Sequence, residues 1–272
     1  TMVSTHMQRL EAEVGASLLV RTTRRLGVTE AGRGFYEASV KILRAAEEAL
    51  AEIGGEEAPV RGTLRVSCPI DYGTLVVAPV LVELRRAHPR LDIELLCSDH
   101  LVDLIAEGID VAIRLGRLAD SNYRAVTLGS FEKWVVASPG FIENWGEPHA
   151  PADLPALPFV ALTVLPRPQA LDLRHTNGDA ESVRCENAFL VNTAEAARAA
   201  TLAGGGFGLL TDFSIRADVA AGRLVRLLPE WSTEPAGIQA VFPPTQHTPP
   251  KVRALVDTFR NHLADAGNAA AG

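Results

Sequence analysis

A cluster of arginine side chains lies near the start of an otherwise acidic chain. The stretch RTTRRLGVTEAG, from Arg21 to Gly32, carries three arginines within five positions. The 272-residue chain has a net charge of -7, yet residues 1–44 hold seven basic and four acidic side chains. Guanidinium groups bind phosphate oxygens, and a basic module on an acidic body is expected where only one end meets a polyanion. Chance clustering on a solvated surface is the alternative that composition leaves open.

The other reactive residue types are not spaced for catalysis or metal binding. The three cysteines, Cys68, Cys97 and Cys185, are far apart and form no CxxC pattern, which argues against a disulfide framework or a zinc site. The seven histidines are scattered, no serine lies in a GxSxG elbow, and no carboxylate pair stands out. The run GGGFG, residues 204–208, follows a predicted helix, so it indicates a helix stop rather than a nucleotide loop. We therefore expect no catalytic residue, no metal and no cofactor.

The residues before the arginine cluster have the periodicity of a helix. Apolar side chains recur at steps of four, three and four residues, at Val3, Met7, Leu10 and Val14. A short apolar run at residues 18–20 predicts a strand, and the basic turn follows it. Helix, strand and basic turn in this order are typical of a winged DNA-reading module.

A second, longer helix follows the basic turn. Thr29 is a suitable N-cap, and the helix is expected to run to about Ile53, before a Gly- and Pro-containing break. Its apolar positions average 3.5 residues apart: Phe35, Ser39, Ile42, Ala46, Ala49 and Ile53. That period is typical of a coiled-coil seam, so this helix is expected to pair with a copy of itself. The alternative is a single helix lying on its own domain.

Strands alternate with helices from residue 62 onward. In the first part, GTLRVSC, LDIELLC and DVAIRLG read as strands, while residues 74–88 and LVDLIAEG read as helices. Between about residues 134 and 239, WVVAS, PFVALTV and FGLLTD read as strands, AEAARAATLAG reads as a helix, and DVAAGRLVRLLP ends in a further strand. IQAVFP is a last strand, and the closing helix has an apolar face of Val252, Leu255, Val256 and Phe259. This pattern predicts one α/β lobe interrupted by a second, with a hinged cleft between them.

The hydropathy pattern indicates a cytoplasmic protein without a membrane partner. No run approaches roughly 18 uninterrupted apolar residues, the length that a spanning helix needs. The N-terminal sequence TMVSTHMQRLE lacks the charged and then apolar order of a secretory signal.

The run VSTHMQRLEAEVGASLLVRTTRRLGVTEAG resembles the LysR-type transcriptional regulators. It is similar to that family's recognition helix, Leu-Leu pair, Arg-rich wing and linker start, and LRVSCP, DLIAEGIDVAIRLG, VVASPGFI and PPKVRALVDTF extend the likeness. The resemblance implies an α/β chain: a partial winged helix-turn-helix, a long linker helix, and a two-lobe effector domain like the type 2 periplasmic binding proteins. It also implies that the first two helices of the helix-turn-helix would precede Thr1.

The resemblance implies three segments and two partners. They are recognition helix and wing (residues 1–28), linker or dimerisation helix and hinge (29–60), and effector domain (61–272), with lobe I at about 61–130 and 240–272 and lobe II at about 131–239. The partners are double-stranded DNA and a small-molecule effector, bound by a homodimer or homotetramer. The cleft is compatible with an anion or carboxylate, and equally with sugars, amino acids or aromatics.

The resemblance also implies the residues that contact these partners. A recognition helix enters the major groove, and wing arginines contact phosphates or the minor groove. The DNA-contacting set is Thr1, Met2, Ser4, Thr5, Gln8, Arg9, Arg21, Thr23, Arg24 and Arg25. The effector set is Ser67, Cys68, Pro69, Ser98, Arg114, Gly116, Asn192, Thr193 and Phe207. For the hydroxyls of the second set, a helix cap without a ligand is the competing interpretation.

Two readings of the residues stay open. A solute-binding protein or a ligand sensor without a DNA role would also have the two-lobe half. Cys68 and Cys97 end two strands of one lobe, so they are expected to approach each other, either as a thiol switch or as buried structural thiols.

Overall fold

The computed structural model describes residues 2–21, 26–52, 59–100, 102–116, 123–244 and 248–271. The N-terminal part holds two helices around a two-stranded antiparallel ribbon: α1 (Met2–Val14), β1 (Leu19–Arg21), β2 (Leu26–Val28) and α2 (Glu30–Glu52). The strands of the remaining chain are β3 (Gly62–Cys68), β4 (Leu91–Cys97), β5 (Val111–Leu115), β6 (Arg124–Phe131), β7 (Lys133–Ala137), β8 (Phe159–Leu162), β9 (Ala170–His175), β10 (Ala180–Arg184), β11 (Ala188–Val191), β12 (Phe207–Thr211), β13 (Val225–Arg226), β14 (Trp231–Ser232) and β15 (Ala236–Phe242). The helices are α3 (Ile70–Tyr72), which continues through a π-helical turn (Gly73–Val77) into α4 (Ala78–Ala87), then α5 (Pro139–Trp145), α6 (Ala194–Leu202), α7 (Asp212–Ala220) and α8 (Pro250–Ala271).

Thr29 joins the ribbon to the long helix α2, as its residue type predicts. Its Oγ1 accepts a hydrogen bond from the Gly32 N–H at 2.9 Å, which confirms the N-cap. The same hydroxyl donates to the carbonyl of Ser17 at 2.7 Å, and the Thr29 N–H donates to the carbonyl of Leu18 at 3.0 Å. Ribbon and helix therefore share one hydrogen-bonded junction.

Glu11 fixes the same end of the ribbon on α1. Its Oε1 accepts from the backbone N–H groups of Leu18 at 2.7 Å and Leu19 at 3.0 Å. A carboxylate that accepts two amide hydrogen bonds orders the chain between helix and strand.

Gly32 is where α2 and the ribbon come closest. A Cβ atom at this position would lie 2.0 Å from the carbonyl oxygen of Leu18, far inside van der Waals contact. Only glycine lets the helix approach the strand this closely. Gly34, two residues further along α2, has open space at the same point.

Lobe I is the five-stranded sheet of order β4-β3-β5-β15-β6, with α3, α4 and α8 packed on it. β3 pairs in parallel with β4 and β5, while β15 pairs antiparallel with β5 and β6. The apolar face predicted for the closing helix is confirmed, since its side chains lie in the lobe I core: Val252, Leu255, Val256 and Phe259.

Lobe II is the five-stranded sheet of order β11-β8-β12-β7-β13, with α5, α6, α7 and a small sheet of order β10-β9-β14. The chain enters it after β6 and leaves it before β15, which confirms the predicted double crossing. The GGGFG run ends α6 as expected, because the Gly204 and Gly205 N–H groups bond back to the carbonyls of Thr201 and Ala200.

Two sequence predictions differ from the structure. Within LVDLIAEG, residues 104–108 form turns instead of a helix, because Asp103 Oδ1 accepts from the N–H groups of Ile105 and Ala106 and so satisfies the backbone locally. The helix expected from residue 74 begins at Ile70, because Asp99, which follows β4, accepts from the Ile70 N–H and so satisfies the first turn from a distant part of the chain.

The linker helix α2 rests against lobe I. A Cβ atom on Gly108 would lie 3.1 Å from Cγ1 of Val40, and a cavity of about 160 Å³ beside this contact is lined by α2 and lobe I residues. On the lobe I side of this cavity, Lys251 Nζ donates to Asp110 Oδ2 at 2.9 Å and to the Thr63 carbonyl at 2.6 Å.

The contact at Gly32 generates a testable prediction. Gly32→Ala is expected to destabilise the ribbon junction by about 1–3 kcal/mol, because the added methyl group has no room. Gly34→Ala is the matched control, and it should stabilise α2 by about 0.5–1 kcal/mol through helix propensity alone. Amide hydrogen exchange of residues 17–33 measures both effects. Equal protection in the two variants would contradict the close approach.

Candidate functional site

The first candidate surface is the exposed side of α1. Thr5, Gln8 and Arg9 are exposed there. Arg9 Nε donates to Glu13 Oε1 at 3.3 Å, but the two side chains are 80% and 65% exposed, so a phosphate can replace the carboxylate. Thr1, Thr23, Arg24 and Arg25 of the predicted DNA set lie outside the described residues. For Met2, Ser4 and Arg21, only the backbone is described.

The second candidate surface is the edge of lobe I where β3 and β4 end. These strands pair in parallel with Cys68 opposite Cys97, so the segments that follow them leave the sheet side by side. The Ser98 N–H donates to the Cys68 carbonyl at 2.9 Å. Asp99 Oδ1 accepts from the N–H of Ile70, the first residue of α3, at 3.1 Å. The structure therefore brings the predicted residues 67–69 and Ser98 together.

Three buried polar atoms at this edge have no hydrogen-bond partner among the described residues. They are the Ser67 hydroxyl, the Tyr72 hydroxyl and Oδ2 of Asp99. Ser67 is 0% exposed and Tyr72 is 1% exposed. An unpaired buried polar group costs about 1–3 kcal/mol, so such groups indicate a partner from solution, either water or a ligand.

The remaining hydroxyls of the predicted set have local partners. Ser98 Oγ accepts from the His100 N–H at 3.2 Å, and Thr193 Oγ1 caps α6 by accepting from the Ala196 N–H at 3.2 Å. Asn192, just before this cap, is exposed. The helix cap considered for Thr193 is thus present, and a cap hydroxyl retains a lone pair and a proton for a further contact.

Arg114 is the predicted cation of the site. It is half-buried on β5 opposite Gln239 of β15 and forms no ion pair with a described residue. Burial lowers the pKa of its guanidinium, while the nearby Cys68 acts in the opposite direction. Gly116 lies two residues further on, where its N–H donates to the Gly237 carbonyl at 2.9 Å.

Acidic side chains that the sequence did not single out also lie at this edge. Asp71 is 7% exposed, and burial raises its pKa to about 6, with Glu195 and Asp99 adding negative charge. Its Oδ1 accepts from the Tyr72 N–H at 2.6 Å. Glu195 lies in the first turn of α6, so lobe II contributes charge to this edge of lobe I. The sequence signal that could have marked Asp71 is an acidic residue three positions after a predicted strand and two after Pro69.

Lobe II also contacts this region through an aromatic side chain. The Phe213 ring of α7 packs edge-on against Tyr72, with ring centroids 5.0 Å apart, and against Phe131, at 5.9 Å. Edge-to-face pairs of this kind favour one lobe arrangement by about 0.5–1.5 kcal/mol each.

Phe207 occupies a different place from the one expected for an effector contact. Its ring is 0% exposed and stacks on Phe159 at 4.8 Å in the lobe II core. We assign this side chain to packing, because the core encloses it.

Metal and membrane sites are absent from the part of the chain that the structure describes. No group of three or more His, Cys, Asp or Glu side chains there is placed to hold a metal ion. No helix within the same ranges is long and apolar enough to cross a bilayer.

Known proteins resemble this chain over nearly its whole length. HTH-type transcriptional regulator PtxR of Pseudomonas aeruginosa is 31% identical, over 97% of this chain and 84% of its own length. An HTH-type transcriptional regulator of Xanthomonas campestris pv. campestris is 35% identical, over 97% of this chain and 77% of its own. The structure of CrgA, a LysR-type transcriptional regulator from Neisseria meningitidis, superposes with a TM-score of 0.67 at 27% identity, covering 96% of this chain and 89% of CrgA.

Family descriptions match both parts of the chain. Residues 1–33 match the bacterial regulatory helix-turn-helix proteins of the lysR family. Residues 57–264 match the LysR substrate binding domain. The match at residues 1–33 disfavours a solute-binding protein or a sensor without a DNA role, and none of these relatives is named as an enzyme. The chain belongs to the LysR family: it is a DNA-binding transcriptional regulator, not an enzyme, and a small-molecule effector modulates its DNA binding.

Proposed function

We propose that the effector binds where β3, β4 and β5 end, between lobe I and α6 of lobe II. The observation that carries this proposal is that most of the unpartnered polar atoms belong to residues within four positions of the ends of β3 and β4. Among the described residues, four buried side-chain N or O atoms lack a partner, and three of them belong to Ser67, Tyr72 and Asp99. The fourth, Arg226 Nε, lies in lobe II, where the guanidinium packs over the Trp134 ring. The proposed contacts are Ser67, Pro69, Ser98, Arg114, Gly116, Asn192 and Thr193. Cys68 is left out because its side chain is 0% exposed in the lobe I core.

The charges around this site favour a carboxylic acid that also carries a hydrogen-bond donor. Arg114, which forms no ion pair with a described residue, suits a carboxylate. Asp71, Asp99 and Glu195 disfavour a second negative charge and suit a hydroxyl or amino group. A hydroxy- or amino-carboxylic acid satisfies both kinds of group.

The effector acts, in this proposal, through the arrangement of two subunits on DNA. Ile42, on the predicted seam of α2, is 69% exposed, and Tyr36 and Leu43 are 61% and 65% exposed. An apolar helix surface of this kind supports pairing with a second α2, in a cytoplasmic homodimer or homotetramer. An effector that binds one lobe arrangement better shifts the population toward it, and thereby the spacing of the paired recognition helices.

Replacing Arg114 tests the effector class. Hydroxy- and amino-carboxylic acids are expected to raise the melting temperature of the protein, whereas their uncharged amides are not. A ligand at 100 times its Kd stabilises by about 2.7 kcal/mol. Arg114→Gln should lose this response, and Arg124→Gln, at an exposed position of the same sheet, should keep it. Equal responses to the acids and amides, or an unchanged response in Arg114→Gln, would exclude the proposed role.

The pKa of Asp71 generates a second prediction. Its folded value, about 6, lies above the ordinary 3.8, so the folded protein binds more protons between these values than the unfolded chain does. The free energy of unfolding therefore falls as pH rises from about 4 to about 6, by about 2–3 kcal/mol from this group.

Asp71→Asn keeps the acceptor for the Tyr72 N–H and removes the charge. Denaturant unfolding at several pH values should show that its stability falls less between pH 4 and pH 7 than that of the unmodified protein. Asp92→Asn, exposed on β4, is the control and should retain the full fall. Parallel curves for Asp71→Asn and the unmodified protein would refute a raised pKa at Asp71.

The wing arginines are tested by salt dependence. Each lost phosphate contact lowers the slope of log affinity against log salt concentration by about 0.9. Arg24→Gln and Arg25→Gln are expected to show this in anisotropy titrations with DNA from upstream of the protein's own gene. Arg260→Gln, an exposed position on α8, should leave the slope unchanged. Unaltered slopes in both wing variants would show that these side chains do not contact phosphates.

A further inference from the structure

Two of the three cysteines lie side by side at the end of the β3–β4 pair. Cys68 and Cys97 occupy directly paired positions on the two parallel strands, and their Sγ atoms are 3.9 Å apart. All three cysteines are free thiols, and the third, Cys185, lies in the lobe II core. Neighbouring-strand pairing holds Cα atoms within the range that a disulfide spans, about 4.4–6.8 Å.

The helical segment after β3 is built closely around these two sulfur atoms. A Cβ atom on Gly73 would lie 2.6 Å from the Cys97 sulfur and 2.8 Å from the Cys68 sulfur. The lack of a side chain at Gly73 therefore leaves room for both thiols beneath the π-helical turn. This packing holds the sulfurs next to each other and leaves little room for a bulky adduct on Cys68.

The two thiols differ in how they can be reached. Cys68 is 0% exposed, and burial together with the neighbouring Cys97 raises the pKa of its thiol well above the ordinary value. Cys97 is only half-buried and lies on β4, the edge strand of the lobe I sheet. A reagent from solution therefore meets Cys97 first, with Cys68 directly behind it.

We propose that Cys68 and Cys97 form a reversible disulfide when a hydroperoxide oxidises the protein. The Cys97 sulfur attacks the peroxide oxygen, the O–O bond breaks, and the peroxide leaves as an alcohol, or as water from hydrogen peroxide. The resulting Cys97 sulfenic acid is then attacked by the Cys68 sulfur, and its S–O bond breaks as water leaves with the Cys68 proton. The two thiols lose two electrons and two hydrogens, and the peroxide gains them.

Closing this bond changes the geometry of the strand ends. The sulfur atoms must approach from 3.9 Å to about 2.05 Å, which draws together the chain segments that follow β3 and β4. Those segments contain Pro69 and Ser98, so oxidation is expected to weaken effector binding. This second step rests on the proposed effector site, whereas disulfide formation does not.

Thiol counting after peroxide treatment tests the disulfide. The protein is treated with hydrogen peroxide, denatured and labelled with a maleimide, and its mass is measured by intact-protein mass spectrometry. The oxidised chain should carry one label instead of three and weigh about 2 Da less before labelling, and dithiothreitol should restore all three labels. A digest should contain one linked peptide pair joining Cys68 to Cys97.

Two variants provide the controls. Cys185→Ala should still lose two labelled thiols, while Cys97→Ser should keep its remaining two cysteines labelled after brief treatment. The proposal is overturned if the unmodified protein retains three labels, if Cys185 or a second chain supplies a partner, or if only added oxygen is found. If Cys97→Ser does not fold, Cys68→Ala serves instead, with sulfenic acid trapped on Cys97 by dimedone expected and its absence counting against the mechanism.

The effect on the effector site has a separate readout. Thermal shifts with the hydroxy- and amino-carboxylic acids are compared between the oxidised and reduced protein, and a loss of at least half of the shift is expected on oxidation. Equal shifts would overturn the coupling while the mass measurement still decides the disulfide. An absence of shifts in both forms would instead contradict the proposed effector class.

Discussion

The parallel pairing of β3 with β4 is the constraint on which the rest of lobe I depends. Its register, from Gly62 opposite Leu91 to Cys68 opposite Cys97, makes both strands end at the same level. The helix after β3 and the turn after β4 therefore begin side by side, and Asp99 can accept from the first helical N–H. A shift of one residue would turn every side chain of the shifted strand to the other face and separate the two ends.

Most helices and strands could be predicted from the sequence. Each buries one face, and this sets the spacing of its apolar residues along the chain. The closing helix and the Thr29 cap are examples, since each needs only local residues. LVDLIAEG has helical spacing too, but the Asp103 side chain bonds to the nearby backbone and holds a turn. β6 was missed because it is partly exposed and pairs with β15, more than a hundred residues later. The β9–β10 hairpin was missed because its strands are short and partly exposed.

The candidate site was predictable only in part. The residues at strand ends follow from topology, since parallel strands deliver their ends to one edge. The role of Asp71 depends on how deeply α3 is buried and on Glu195, which comes from the other lobe more than a hundred residues later. Phe207 shows the reverse case: the family resemblance implies a cleft residue, but its side chain on β12 lies in the lobe II core. Burial is a property of the assembled fold, and the local sequence does not specify it.

The double crossing between the lobes has a consequence for how the chain folds as it is synthesised. Lobe II is one continuous segment, so it can fold as soon as it leaves the ribosome. Lobe I must wait, because its β15 lies between β5 and β6 and its core includes α8, the last helix. A nascent chain without its C-terminal segment therefore has α1 and all of lobe II but no completed lobe I, so the capacity to respond to an effector is the last property that the protein acquires.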